Sequence, residues 1–319
     1  MGSFLLRRLA GHTVLALVAV SLAYLLAAAA LHPCEPPAPP PAAASAGACR
    51  SAGEPLAGRY RAWATGVLHG DFGRTLDGEP VAGELWRRLW VSARLLLAGT
   101  VLGCAGGVLL GVYAAVRRDA APDRIITAGT FLLLAVPVFV LAVLAQIAAA
   151  ELDEATGVRV VAWAGEPGGT FGALGRAADG LRHLALPTAV VALSQLAVYC
   201  RYQRGVTLDV LGADHVRTAR AKGLRRRDAL LRHGLRAALV PMTTYFAYTA
   251  GLALLTGVFT EQVFGWHGLG EWVVAAIVRG DVNVVAAANC VAAVAVVLAG
   301  LASDAARCLL DPRVRTPAP

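Results

Sequence analysis

The sequence predicts an all-α, polytopic membrane protein with six transmembrane helices, and three observations lead there. The chain of 319 residues is 57% hydrophobic and only 16% charged, whereas a soluble domain has about a quarter of its residues charged. Its mean hydropathy is +0.60. The charges are also unevenly spread, so that long apolar windows alternate with short charged ones. A spanning helix needs roughly 20 mostly apolar residues, because each rises about 1.5 Å against a hydrocarbon core of about 30 Å. Several windows meet that length.

Arg7 and Arg8 precede an apolar run from Leu9 to Leu31, so residues 1–31 make an N-terminal segment and the first span. The run is longer than the roughly 7–15-residue core of a cleaved signal peptide, which favours an uncleaved helix. Residues 32–90 form a loop, of which 33–58 are rich in Pro, Ala and Gly. Proline removes backbone donors and blocks helix, so an irregular stretch is expected there. Trp86 and Trp90, late in the loop, suit a membrane–water interface. Residues 91–310 hold the five-helix core. Span two, 91–116, carries Gly103, Gly107 and Gly111 at four-residue spacing, a small-residue face for close helix contact. Span three, 125–150, contains Pro137 as a kink. A second loop with Glu151, Asp153 and Glu154 leads to span four, 183–202, with Pro187 in its first turn. Span five covers 239–260 with Pro241 near its start, residues 261–281 connect it to span six at 282–301, and 311–319 form a tail.

Six spans put both termini on one side. The N-terminus, the 117–124 and 201–236 loops and the segment after span six (302–319) carry eighteen of the 29 basic residues, while the longer opposite loops carry ten. This bias places both termini in the cytoplasm and the chain in the cell (plasma or inner) membrane. It also accounts for the net charge of +8 without a nucleic-acid partner, since no aromatics interleave with a basic patch. Cys34 and Cys49 then lie outside, in an oxidising setting where they can pair. Cys104, Cys200, Cys290 and Cys308 sit in or beside apolar segments as small hydrophobes. No cysteine spacing suits a metal.

Enzymatic classes find no support. There is no nucleophile elbow, no His-Glu-x-x-His and no carboxylate pair inside a span, so no catalytic residue is assigned. Lys222 is the one lysine and follows Ala221, so no phosphate-binding Gly-Lys-Ser/Thr loop exists. If ATP drives this protein, another polypeptide hydrolyses it, and no cofactor belongs to this chain. Mid-span ionisable groups are nearly absent, which argues against a proton relay.

The segment 203–238 is the most informative. Asp214 suits the N-cap of a short helix through Lys222, and Gly223 suits its stop. A second helix begins near Arg226, with Leu224, Leu231, Leu235 and Leu239 along one face and Arg225, Arg232 and Arg236 away from it. Such a basic amphipathic segment can simply lie on anionic headgroups.

DHVRTARAKGL at 214–224, followed by LLRHGLRAALVP at 230–241, resembles the cytoplasmic signature loop of ABC importer permeases of the dipeptide/oligopeptide branch. LHGDFGRTL at 68–76, HLALP at 183–187, FTEQVFGWHGLGEWVVAAI at 259–277 and LLDPRVR at 309–315 resemble the same family in the same order. The likeness covers the chain from Trp63 onward and is weak between Pro33 and Arg59. His215 stands where Tyr is usual, His267 where Pro is usual, and the customary Pro-Gly-Asp-Pro after span one is absent. The resemblance implies a type I ABC importer permease fold. Its partners would be a second homologous permease, two cytoplasmic ATPase subunits holding ATP and Mg, and an extracytoplasmic substrate-binding protein. It further implies that Asp214, His215, Val216, Arg217, Thr218, Ala219, Arg220, Ala221, Lys222, Gly223 and Leu224 form the ATPase-coupling element. By the same resemblance Glu261, Phe264, Trp266, Gly268 and Gly270 belong to an external gate. Mid-span polarity alone nominates Ser194, Gln195, Tyr199, Thr249 and Thr256 as pathway residues, although interhelical hydrogen bonding is the favoured explanation for any single one of them. The expected function is half of a translocation pathway for peptides or similar solutes, working by alternating access; an ion-coupled carrier and a non-transporting membrane scaffold are the alternatives.

Overall fold

The computed structural model describes residues 2–31, 55–157, 162, 165 and 173–310. Cys34, Cys49 and the 311–319 tail lie outside the described residues. Long apolar helices dominate, in the order α1 (Gly2–Ala30), α2 (Leu56–Leu68), α3 (Val81–Val116), α4 (Ala121–Ala135), α5 (Val138–Thr156) and α6 (Ala173–Gly212). There follow α7 (Asp214–Ala221), α8 (Arg226–Ala229), a π-helical turn (Leu230–Gly234), α9 (Leu235–Thr256), α10 (Val258–Phe264), α11 (Leu269–Arg279) and α12 (Val282–Leu310).

Among the described residues four helices are each long and apolar enough to cross a membrane: Leu9–Ala30, Val81–Val116, Ala178–Gly212 and Val282–Arg307. Two bent pairs, α4–α5 and α8–α10, bring the number to six if each pair is one span. Span three is therefore broken rather than kinked: α4 and α5 meet at 101°. Val136 is extended and Pro137 caps α5 from outside, as proline's bias on the preceding residue requires. Pro187 and Pro241, by contrast, lie inside α6 and α9 rather than opening a span, because both helices start earlier than hydropathy indicates. The 32–90 loop also contains regular structure, since α2 and the first turns of α3 fall within it.

The predicted glycine face forms the tightest seam. Gly103, Gly107 and Gly111 are buried where α3 packs along α6. A β-carbon at Gly107 would lie 2.8 Å from the Leu196 carbonyl oxygen and 2.6 Å from Tyr199 Cβ. Elsewhere α12 packs between α1 and α9. Its small residues Ala286, Ala287 and Ala288 join Tyr24, Trp63, Leu85 and Leu269 in one apolar cluster. Tyr24 stacks on Trp63 at 4.4 Å between centroids, which fastens α2 to α1. Many large side chains on the outer faces, such as Leu109, Ile125, Leu132 and Val278, are exposed, as lipid contact requires.

Candidate functional site

The residues nominated for coupling and for a gate gather at two opposite ends of the bundle, joined by α6 and α9. At one end, α7 is a short amphipathic helix. Val216 and Ala219 are buried, in a cluster with Leu211, Ala229 and Leu230 that Val112, Val116 and Leu224 flank. Asp214, His215, Arg217, Thr218, Arg220, Ala221, Lys222 and Gly223 are exposed. The helix therefore presents a basic face outward while two residues anchor it to the ends of α3 and α6. It closes as the sequence predicts, with Gly223 at φ +94°, its N–H donating to the Arg220 carbonyl at 2.9 Å. Gly234, in the π-helical turn, lies beneath it: a β-carbon there would stand 2.8 Å from Val210 Cγ1 and 3.2 Å from Val216 Cγ2.

Two expectations here are corrected. Asp214 is not the N-cap: Ala213 holds that place, its carbonyl accepting from the N–H groups of Val216 and Arg217, and no side chain caps the helix. Asp214 is the first helical residue, where its charge favours the positive end of the helix dipole. The leucine face is also shifted. Leu230 is fully buried and Leu231 is exposed, because the π-helical turn adds a residue to the cycle and rotates the face that regular four-residue spacing assigns.

A bidentate ion pair braces this end. Arg204 on α6 donates from Nε to Asp123 Oδ1 at 2.7 Å and from its terminal nitrogen to Oδ2 at 2.9 Å, and Asp123 is buried at the start of α4. The buried Gln203 amide donates to Thr207 and to the Ala238 carbonyl, which ties α6 to α9.

At the other end Glu261, fully buried on α10, is the hub. Ser92 of α3 donates to Glu261 Oε1 at 2.5 Å and accepts from the Leu269 N–H at 2.7 Å. The Glu271 N–H donates to Glu261 Oε2 at 3.0 Å. The carboxylate thus sits at the first turn of α11, which favours an anion. Gly268 makes this approach possible, since a β-carbon there would lie 2.3 Å from Glu261 Cδ; one at Gly270 would meet Val258 Cα at 3.0 Å. Phe264 and Trp266 are buried against α3, α5 and α6, and the Arg94 guanidinium lies 5.0 Å from the Trp266 ring centre. The Gln146 amide of α5 donates to the Val263 carbonyl at 2.9 Å. All five predicted gate residues therefore converge. Ser92→Ala is expected to strand the buried Leu269 N–H and lower stability by about 1–3 kcal/mol. Thermal unfolding of the detergent-solubilised chain reads this, and an unchanged midpoint would count against the hub.

The LHGDFGRTL stretch packs beside this end. The Asp281 carboxylate accepts from the N–H groups of Leu76 at 2.9 Å and Val284 at 3.3 Å, and burial pushes its carboxyl up from its ordinary value. Asn283 donates to the Arg74 carbonyl at 2.8 Å, and Arg279 pairs with Asp77.

The five pathway candidates do not form one site. Tyr199 and Thr249 share a hydrogen bond between α6 and α9, and Tyr199 is fully buried. Ser194 donates to the Val191 carbonyl of its own helix, and Gln195 packs over Gly103 in the α3–α6 seam. The side chain of Thr256 lies outside the described residues. None of the other four lines the apolar hollow of about 660 Å³ that Leu97, Met242, Phe246, Gly251 and Leu298 border among α3, α9 and α12.

Sequence reasoning missed Ser92, Asp123 and the pairing role of Arg204. Each bonds a partner far away in the chain, so no local spacing marks it. Among the described residues no group of three or more His, Cys, Asp or Glu could hold a metal ion.

The described residues thus form a helical membrane bundle with an anchored basic helix at one end and a buried carboxylate hub at the other. Residues 107–316 match the family of binding-protein-dependent transport system inner membrane components, and the chain belongs to it. Over 99% of both chains it is 44% identical to the oligopeptide transport system permease protein OppB of Mycobacterium tuberculosis H37Rv. It is 33% identical to oligopeptide permease AppB of Bacillus subtilis, covering 80% of this chain and 79% of that one. It is 30% identical to dipeptide permease DppB of Escherichia coli K12, over 82% of each.

Proposed function

We propose that this chain is the permease subunit of an ATP-driven peptide importer, forming half of the translocation pathway. The single observation that carries the reading is α7: a short helix seated by Val216 and Ala219 on the ends of α3 and α6, with Arg217 and Arg220 facing outward. A helix so anchored passes a rigid-body push from a docked ATPase into the spans it rests on. The similarity to oligopeptide and dipeptide permeases supports peptides as cargo. In this reading the partners are a second homologous permease, two ATPase subunits that hold ATP and Mg, and an external binding protein. The termini and α7 face the cytoplasm, where eighteen of 29 basic residues lie. The 261–271 hub serves as the external gate. Alternating access then couples ATPase closure at α7 to rearrangement at Glu261 through α6 and α9.

The test is purification of the tagged chain from its own membrane, mass spectrometry of what accompanies it, and an ATPase assay. A second permease and nucleotide-binding subunits, with hydrolysis stimulated by a binding protein, are expected. A chain that emerges alone and without ATPase activity sinks the importer reading and favours a carrier or scaffold.

A further inference from the structure

Arg118, Arg220 and Arg226 face one hollow of about 380 Å³ at the α7 end of the bundle. They come from three elements: the turn after α3, the last turn of α7 and the first residue of α8. Arg118 and Arg220 both repel the charge of Arg226. The acidic groups nearby are Asp119, 3.4 Å from Arg118, and Asp123, whose two oxygens already engage Arg204. Among the residues lining the hollow, one carboxylate stands against three guanidiniums. Arg226 Nε is buried with no hydrogen-bond partner.

The geometry is built in advance. Asp119 adopts φ +66°, its N–H donates to Asp123 Oδ2 at 2.9 Å, and the Asp123–Arg204 pair pins that turn to α6. Arg118 is thereby held just past the end of the apolar helix α3, while Leu208 and Leu211 supply an apolar wall.

We propose that this hollow binds a phosphate group, carried by an anionic phospholipid headgroup or by inorganic phosphate. Planar guanidinium forks match phosphate oxygens, and basic pockets between helices at a membrane surface take anionic headgroups. A phosphate would supply the missing countercharge and a partner for Arg226 Nε. The inference does not depend on the transport reading.

The test uses the full-length chain, purified and delipidated, with native mass spectrometry to read bound phosphatidylglycerol, phosphatidylcholine and inorganic phosphate. Phosphatidylglycerol is expected to bind well above phosphatidylcholine. Arg118→Gln with Arg226→Gln is expected to weaken it about 30-fold, the factor for two guanidiniums near an anionic headgroup. The single variant at exposed Arg118 should give a smaller loss with an unchanged thermal midpoint. Displacement of the lipid by millimolar inorganic phosphate, or binding of phosphate alone, assigns the site to the free anion; retention of the lipid assigns it to the headgroup. Equal binding of both lipids without phosphate binding overturns the proposal, as does wild-type affinity in the variants.

Discussion

Gly223→Pro is expected to abolish uptake while leaving the chain inserted in its membrane. Gly223 ends α7 at φ +94° with its N–H bonded to the Arg220 carbonyl. Proline fixes φ near about −65° and has no N–H, so both features are lost and the reversal into α8 is re-aimed. No heavy atom lies within 4 Å of the β-carbon position, so bulk is not the problem. Gly223→Ala therefore carries only the penalty of a left-handed residue, roughly 1–2 kcal/mol, and should retain partial uptake. Reversing charge at Arg217 and Arg220 makes the complementary case: both are exposed, so the fold should be spared while the proposed ATPase contact is lost. Uptake that survives these changes with normal ATPase co-purification would remove α7 from the coupling path.

The second large effect is on folding. Gly107→Val is expected to prevent normal assembly, because its side chain must enter a seam where a β-carbon already stands 2.8 Å from backbone oxygen and 2.9 Å from the Cys200 nitrogen. Overpacking against flexible side chains costs about 1–3 kcal/mol. Here the neighbours are backbone atoms of α6, which yield only if the helices separate, so the loss should reach or exceed the top of that range. At Gly129, where nothing lies within 4 Å, the same substitution should be tolerated. The yield of folded chain by fluorescence-detected size exclusion compares the two, and equal yields would show that the α3–α6 seam is not tight.

Much of this architecture is legible in the sequence for a physical reason: bilayer thickness forces long apolar windows, and close helix approach forces the Gly103–Gly107–Gly111 repeat. The α7 stop is legible because a left-handed turn selects glycine. What hydropathy does not carry is where helices end. Apolar windows mark lipid, whereas α3 and α6 continue well into polar surroundings as Val81–Val116 and Ala173–Gly212. The break at Val136–Pro137 is visible only as a proline, whose consequence ranges from a kink to the observed 101° bend. The Leu231 face failed because a π-helical turn cannot be read from leucine spacing. The residues that resemblance nominates for a gate pack together around Glu261, but Ser92, which holds Glu261 to Leu269, belongs to a different span and leaves no local trace. The mid-span candidates were chosen by polarity alone, and Tyr199 and Thr249 satisfy one another instead of lining an open path.

The central claim, ATP-coupled passage of peptide through this chain, is tested most directly by uptake into proteoliposomes holding the purified complex. The account predicts that a labelled peptide pool accumulates only with ATP on the α7 side and the binding protein on the other, and that ionophores leave uptake unchanged. Uptake that needs no ATP and collapses with the ion gradient would contradict it.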